Sequence, residues 1–480
     1  MSMTPADFSV LLPLICVGAT AIAVMLLVAV YRSYVATFLL TLTGLAAAVA
    51  TLPWTAGAAP HPLPLLVLDG YAALYTGLLV TAAAGSALLA FGYLRKYEGN
   101  REEFFILMLL ATLGAVVLAA SNHFASFFLG IELLSISLYA LVAYPHKTEA
   151  HTEAGVKYLV LAAVSSSFIL FGMALIYADT GSMAIDRIGP ALRGMPLRGS
   201  DPWLLAGLAM MVVGIGFKLA VVPFHLWTPD VYQGAPAPVT AFVATVSKGG
   251  VVAILLRLFP PGDIFNRSSL FFVFSAIAIA SMIAGNLLAL LQNNVKRILA
   301  YSSIAHLGYI LVAFLAGRSQ GVNAVTFYLM AYFISTLGAF GVISVLSGPG
   351  HEMESLDDYR GLFWRRPWLA GVFSAMVLSL AGLPLTAGFV GKFYLTMAGV
   401  GSALWTLVIV LVLSSTVGLY YYLRILFTFF VKQPEPQGPV GPEQAISLSG
   451  TLTLAALTFL LIWLGIMPAP IFDLIQTMVH

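Results

Sequence analysis

The chain has 480 residues, 60% of them hydrophobic and 9% charged, with 22 Lys and Arg against 20 Asp and Glu and a formal charge of +2. Soluble domains carry about 25% charged residues, so this composition excludes a water-soluble globule and implies a polytopic membrane protein. The thin charge, with no Lys/Arg-rich run, argues against a nucleic-acid partner; the one cysteine, Cys16, sits in an apolar run and rules out disulfides within the chain and Cys-ligated clusters.

Apolar runs long enough to cross a hydrocarbon layer of about 30 Å, about 20 residues each, fall at 8–30, 35–52, 71–93, 104–120, 124–144, 154–178, 203–233, 237–259, 269–291, 298–317, 322–347, 367–399, 402–431 and 445–467. They predict an all-α fold of about 14 transmembrane helices. The first run has full span length and no Lys or Arg before it, so it reads as a helix rather than a removed signal peptide. The seventh and twelfth are longer than a span needs and contain Pro223 and Pro384. A helix break at membrane depth is tolerated only where the freed backbone faces protein or a wet cavity.

The basic residues set the expected orientation. The odd-numbered loops hold eleven: Arg32, Arg95, Lys96, Arg101, Lys147, Lys296, Arg297, Arg360, Arg365, Arg366 and Lys432. The even side holds six: Arg187, Arg193, Arg198, Arg257, Arg267 and Arg318. Odd loops are therefore expected on the cytoplasmic side, with both termini periplasmic.

An internal repeat emerges when helices four to eight are laid on nine to thirteen. Tyr158-Leu159 with Ser165-Ser166 matches Tyr328-Leu329 with Ser335-Thr336 at an offset of 170. Ser247 with Arg257 matches Ser414 with Arg424 at 167, and Pro223 matches Pro384 at 161. Five helices is an odd number, so the second unit is expected upside down, and inverted repeats with broken helices mark transporters. The resulting division is an N-terminal three-helix segment at 1–100, repeats at 101–262 and 263–433, and a C-terminal helix within 434–480.

The ionisable residues inside these helices are the candidates for chemistry. A mid-bilayer lysine costs about 2.5–3.5 kcal/mol on insertion scales, so such residues mark function by default. Glu132, in FFLGIELLSISLY, is the one acid well inside a helix, with Lys157 or Lys218 as its expected partner. Lys157 follows Glu153 by four residues, so a helix-surface ion pair is the plain alternative. Lys218 and Lys248 lie more than ten residues from either helix end, about 15 Å, beyond comfortable reach of the headgroups. His225 sits beside Pro223, and His306 lies in YSSIAHLGY; either could pass a proton through its two ring nitrogens or serve as a satisfied core histidine. Lys392 follows Pro384 by eight residues and is the deepest lysine of the second repeat. Amines whose charge depends on a neighbouring carboxylate suit a proton relay. Tyr420, Tyr421 and Tyr422 read as packing, and Asn266-Arg267-Ser268 as a chance match to a glycosylation sequon. No Walker A loop, dinucleotide fingerprint or haem ligand pair is visible.

The stretch KLAVVPFHLWTPDVYQGAPAPVTAFVATVSK closely resembles its counterpart in subunit N of bacterial NADH-quinone oxidoreductase (respiratory complex I), from the antiporter-like membrane subunit family. FFLGIELLSISLYALVAY, VKRILAYSSIAHLGY and LAGLPLTAGFVGKFY are similar too, so the likeness covers about two thirds of the chain. The VPFHLWTPDVYQGAP wording separates subunit N from its sisters. Lys392 stands where subunit M-like chains carry glutamate, and no long extension follows helix fourteen as it does in subunit L.

The resemblance implies an essential Glu132–Lys218 pair, a central-axis Lys248 and a second half-channel residue at Lys392. Lys248's repeat counterpart is Ser415, so the two halves are not chemically equivalent. The resemblance also implies proton translocation, a place in the bacterial inner membrane beside sister antiporter-like subunits and lipids, and no cofactor in this chain. NADH, FMN, iron–sulfur clusters and quinone are expected in partner subunits. A subunit of a multisubunit cation/proton antiporter shares the architecture, and a scaffold with inert buried charges is the alternative of another class.

Overall fold

The computed structural model describes residues 5–56, 61–97, 99–144, 149–187, 202–259, 268–348, 351–431 and 447–479. Lys147, Arg193, Arg198, Arg267 and Lys432, counted above for orientation, lie outside these residues. So do Asn266 and the expected boundaries at 262–263 and 433–434.

The described residues are almost wholly helical. In chain order the helices are α1 (Pro5–Val30), α2 (Tyr34–Ala50), α3 (Gly70–Leu94), α4 (Glu103–Ala120), α5 (Phe124–Val142) and α6 (Glu149–Thr180). Next come α7 in two pieces (Pro202–Leu219 and Trp227–Gly234), α8 (Ala237–Leu258), α9 (Ser268–Leu290), α10 (Val295–Ala316) and α11 (Arg318–Leu346). The last are α12 in two pieces (Pro367–Ala381 and Ala387–Gly401), α13 (Trp405–Thr428), α14 (Leu448–Ile466) and a short α15 (Ala469–Val479). Thirteen helices among the described residues are long and apolar enough to cross a membrane. α12, expected from the sequence as a single long run, is divided by its break into two halves each shorter than a span.

The helices sort by depth in the bundle. α8 and α10 are buried along their whole span, whereas α1, α2 and α14 are buried on about a third. A helix that is apolar all round and buried all round belongs to a core, and α8 and α10 form it.

Both broken helices break in the same way. At the end of the first half of α7, Val221 N donates to Gly216 O at 3.0 Å while Ala220 takes a left-handed φ of 61°. At the end of the first half of α12, Leu383 N donates to Leu378 O at 3.0 Å while Gly382 takes φ 86°. This five-residue wrap closes a helix and leaves earlier carbonyls free. In each case the second half of the same helix donates to a carbonyl at that end: Trp227 Nε1 to Phe217 O at 2.9 Å, which also accepts from Ala220 N, and Lys392 Nζ to Ala381 O at 2.8 Å.

The residues matched between the two expected repeats bond to elements at matching places in the order of helices, though not to the same kinds of group. Ser165 Oγ of α6 donates to Gly214 O of α7 at 3.0 Å, and Ser335 Oγ of α11 donates to Ser379 Oγ of α12 at 2.8 Å. Arg257 of α8 donates to Ala119 O, at the end of α4, at 2.7 Å. Arg424 of α13 donates to Leu290 O, at the end of α9, at 3.1 Å and to Gln292 O beyond it at 2.6 Å. In each unit the arginine of the fifth helix closes the C-terminus of the first, where carbonyls lack intrahelical partners.

The connection after α11 lies as a strap across the start of α10. Val295 N donates to Glu354 O at 2.6 Å, Leu356 N to Asn293 O at 3.0 Å, and Asn294 Nδ2 to Glu354 Oε2 at 2.8 Å.

Candidate functional site

Lys218, Lys248 and Lys392 each place the side-chain amine on a serine hydroxyl. Lys218, 4% exposed at the end of the first half of α7, donates to Ser135 Oγ of α5 at 2.6 Å. Lys248, 1% exposed on α8, donates to Ser303 Oγ of α10 at 2.6 Å and lies 5.5 Å from the centre of the Tyr232 ring. Lys392 of α12 donates to Ser415 Oγ of α13 at 2.7 Å as well as to Ala381 O, and lies 5.3 Å from the centre of the Tyr309 ring. A buried charge is tolerated when it is hydrogen-bonded, and a hydroxyl both accepts the ammonium's proton and keeps its own to pass on.

Local sequence positions these groups. A π-turn over Val243–Ser247 ends at Lys248, and such bulges re-aim the residue that follows them. Gly382 is required beside Lys392: a Cβ there would lie 2.7 Å from Lys392 Cδ, in a backbone conformation that favours glycine.

Between Lys248 and Lys392 runs a cluster of hydroxyls around His306. Ser303 Oγ meets Tyr332 Oη at 2.6 Å, and the Tyr332 ring lies 5.4 Å from that of His306. His306 Nδ1 meets Tyr328 Oη at 2.5 Å and its Nε2 meets Tyr422 Oη at 3.0 Å. Tyr422 in turn is hydrogen-bonded to Ser302. Asn286 joins Tyr309 Oη, at 2.8 Å, to Tyr421 Oη, at 3.0 Å. Tyr422 and Tyr421 are thus members of a polar network rather than packing alone, while Tyr420 is exposed on the outside of the bundle, not packed within it as expected. Both ring nitrogens of His306 are engaged by hydroxyls that can donate or accept, the arrangement a proton-passing imidazole needs.

Glu132 differs from the expectation. Among the described residues no direct salt bridge joins it to Lys218, whose amine is on Ser135. Ser135, three residues along the same face of α5, takes the ammonium instead, and Glu132 Oε1 is buried without a hydrogen-bond partner. His225, in the break of α7, is buried with its Nδ1 unpartnered. Buried polar atoms in native proteins are nearly always bonded, so these two stand out among the interior groups.

The structure does not bring Lys157 to this axis. Its amine lies 2.7 Å from Glu153 and 3.3 Å from Asp230, with a side chain 45% exposed. The i,i+4 spacing that offered a surface ion pair is realised, and Asp230 extends it to Arg297 of α10 at 2.8 Å.

Several polar groups were missed by sequence reasoning. Ser135, Ser303 and Ser415 carry no signal in isolation, since serine is common in membrane helices. Lys296 and Glu352, placed in loops, form a buried ion pair: Lys296 is fully buried and the Glu352 side chain is 14% exposed. The hydropathy of the runs put the start of α10 three residues late, which left Lys296 outside it. Among the described residues no three His, Cys, Asp or Glu side chains converge to ligate a metal.

Thirteen span-length helices among the described residues, two broken helices and three interior amines on serine hydroxyls are the features of an antiporter-like membrane subunit. Residues 121–418, well over half of the chain, match the family described as NADH:quinone oxidoreductase/Mrp antiporter, transmembrane. A chain of respiratory complex I from Thermus thermophilus is 34% identical, with 96% of this chain and 98% of that one covered and a TM-score of 0.81. A chain of the membrane-bound sulfane sulfur reductase, an archaeal respiratory complex, is 27% identical over 98% and 96% with a TM-score of 0.82. A chain of the Mrp complex from Dietzia sp. DQ12-45-1b shares the fold, at 24% identity over 99% and 97% and a TM-score of 0.87. The chain belongs to the NADH:quinone oxidoreductase/Mrp antiporter transmembrane family.

Proposed function

We propose that this chain is a proton-translocating subunit of an NADH-quinone oxidoreductase, of the subunit N type, set in a bacterial inner membrane with its odd-numbered loops cytoplasmic. NADH, FMN, iron–sulfur clusters and quinone belong to partner subunits, and this chain contributes the proton path. The observation that carries the reading is the set of three lysines, each on a serine hydroxyl, with His306 and the Tyr332, Tyr328 and Tyr422 hydroxyls clustered beside the second.

In this reading, quinone reduction elsewhere changes the charge state of Glu132 and Lys218. The disturbance passes to Lys248, then through Ser303, Tyr332 and His306 to Lys392, which releases toward the periplasmic side. His225 and water at the break of α7 supply the first half. Moving one charge against 100 mV costs about 2.3 kcal/mol, within what a change of neighbouring charge supplies to a group in low dielectric. The test is proton translocation by the assembled complex in inverted vesicles after Lys218→Ala or Lys392→Ala, with quinone reduction followed in parallel. Loss of translocation is expected, and unchanged translocation removes those roles.

A second reading, a subunit of a multisubunit cation/proton antiporter, is favoured by the breadth of the matched family, which spans both kinds of complex. Co-purification with NADH-oxidising subunits supports the first, and sodium-dependent proton exchange without them the second.

A further inference from the structure

The Glu352–Lys296 pair lies on the odd-loop side of the bundle, outside the file of amines. Lys296, the second residue of α10, donates to Ala235 O at 2.7 Å and pairs with Glu352 Oε2. Glu352 Oε1 accepts from Ala237 N, the first residue of α8, at 2.9 Å and from Tyr93 Oη of α3 at 3.1 Å. One carboxylate therefore holds the junction between the second half of α7 and α8, the start of α10 and a tyrosine of α3. A carboxylate on the first N–H groups of a helix also meets the positive end of its dipole.

The same elements meet again at Lys248. Tyr232, under the Lys248 amine, is three residues before Ala235. Lys248 is eleven residues after Ala237 on α8, and Ser303 is seven residues, two turns, after Lys296 on α10. α11, whose trailing strap delivers Glu352, supplies Tyr332 to Ser303. Two regular turns of α10 carry a shift at Lys296 to Ser303, and on α8 a shift at Ala237 reaches Lys248 through the π-turn over Val243–Ser247.

We propose that Glu352 and Lys296 act as positioning residues, a buried clamp that sets the axial register of α8 against α10 and so keeps the Lys248 amine on Ser303. The functional part of this inference rests on the relay reading above; the mechanical part does not. Glu352 sits on a strap rather than on a transmembrane helix, so a movement of that strap would withdraw the clamp and part Lys248 from Ser303 without disturbing the membrane-facing surface.

The test is hydrogen–deuterium exchange on the chain in the complex that co-purifies with it. Glu352→Ala is expected to raise exchange of the amides across residues 235–248 by about tenfold, since local opening sets exchange, while those of α13 stay unchanged. It is expected to lower protons moved per turnover at least about threefold. Glu352→Gln with Lys296→Gln, a neutral pair that keeps an acceptor for Ala237 and a donor for Ala235, returns both readouts toward wild type. Unchanged exchange in Glu352→Ala overturns the clamp. Raised exchange with unchanged translocation, in a complex where Lys248→Ala abolishes translocation, overturns its positioning of Lys248. If Lys248→Ala is also without effect, the relay reading falls and the clamp stands or falls on exchange alone. Should Glu352→Ala not assemble, Glu352→Gln keeps the shape and leaves Lys296 without its counter-charge; exchange across 235–248 must then rise, and its failure to do so counts against the proposal.

Discussion

Lys248 and Ser303 are joined by a 2.6 Å hydrogen bond that ties the fifth helix of one repeat to the second helix of the other. Ser303 is also bonded to Tyr332, so the contact between the repeats is at once a mechanical joint and a link in the hydroxyl file. Ser303→Ala removes both. A hydrogen bond to a charged group is worth about 1.5–3 kcal/mol, so translocation is expected to fall at least about tenfold while Ser303→Thr, which keeps the hydroxyl, retains most of it. Proton uptake by inverted vesicles, normalised to assembled complex, measures the difference.

The space for Lys392 is made by Gly382. Gly382→Ala adds a Cβ within 2.7 Å of Lys392 Cδ at a φ of 86°, so two penalties coincide. Strain of this kind costs about 1–3 kcal/mol, and the amine is expected to leave Ala381 O and Ser415. Translocation should resemble that of Lys392→Ala. Gly371→Ala, in the first half of the same helix with nothing within 4 Å of the added Cβ, should be neutral or stabilise by about 0.5–1 kcal/mol. Thermal unfolding of the two variants side by side separates local crowding from general loss of a glycine.

Tyr422 separates connection from packing. Tyr422→Phe preserves its ring and removes the hydroxyl shared by His306 and Ser302. Translocation is expected to drop several-fold while the melting temperature moves by no more than the equivalent of about 1 kcal/mol, the ordinary worth of a neutral hydrogen bond. Tyr420→Phe alters an exposed ring outside the network and should change neither measurement.

Lys157 is expected to be dispensable for the relay. Its side chain is 45% exposed, and ion pairs so open to the surroundings add little to stability. Lys157→Ala should keep more than half of wild-type translocation, with any loss of stability shrinking as salt rises. A loss as deep as that of Lys218→Ala would return Lys157 to the axis.

Arg257 and Arg424 test the repeat as a mechanical principle. Arg257 forms a two-pronged pair with Asp69, at 2.7 and 3.2 Å, and caps α4; Arg424 caps α9. Arg257→Lys keeps the charge but not the fork geometry. It is expected to destabilise by about 1–3 kcal/mol, and Arg424→Ala by a similar amount, read as loss of thermal stability in detergent.

What the sequence by itself determined was everything that depends on residues near one another in the chain. A span is about 20 apolar residues because the hydrocarbon is about 30 Å thick, so the thirteen span-length helices among the described residues could be read from hydropathy. Pro223 and Pro384 located the two breaks because a proline has no N–H to give. The unlikely depth of Lys218, Lys248 and Lys392 in apolar sequence marked them without any partner in view. The tertiary structure alone decided what holds them. Ser135 is 83 residues from Lys218, Ser303 is 55 from Lys248 and Ser415 is 23 from Lys392. A serine in a membrane helix looks the same whether it bonds its own turn or a neighbour's lysine. Lys296 and Glu352 escaped notice for a related reason, since charges at the ends of runs read as headgroup-facing until a strap from another part of the chain is found to cover them. Hydrophobicity is additive along the chain and so legible, whereas a hydrogen-bond partner is set by which helices pack together.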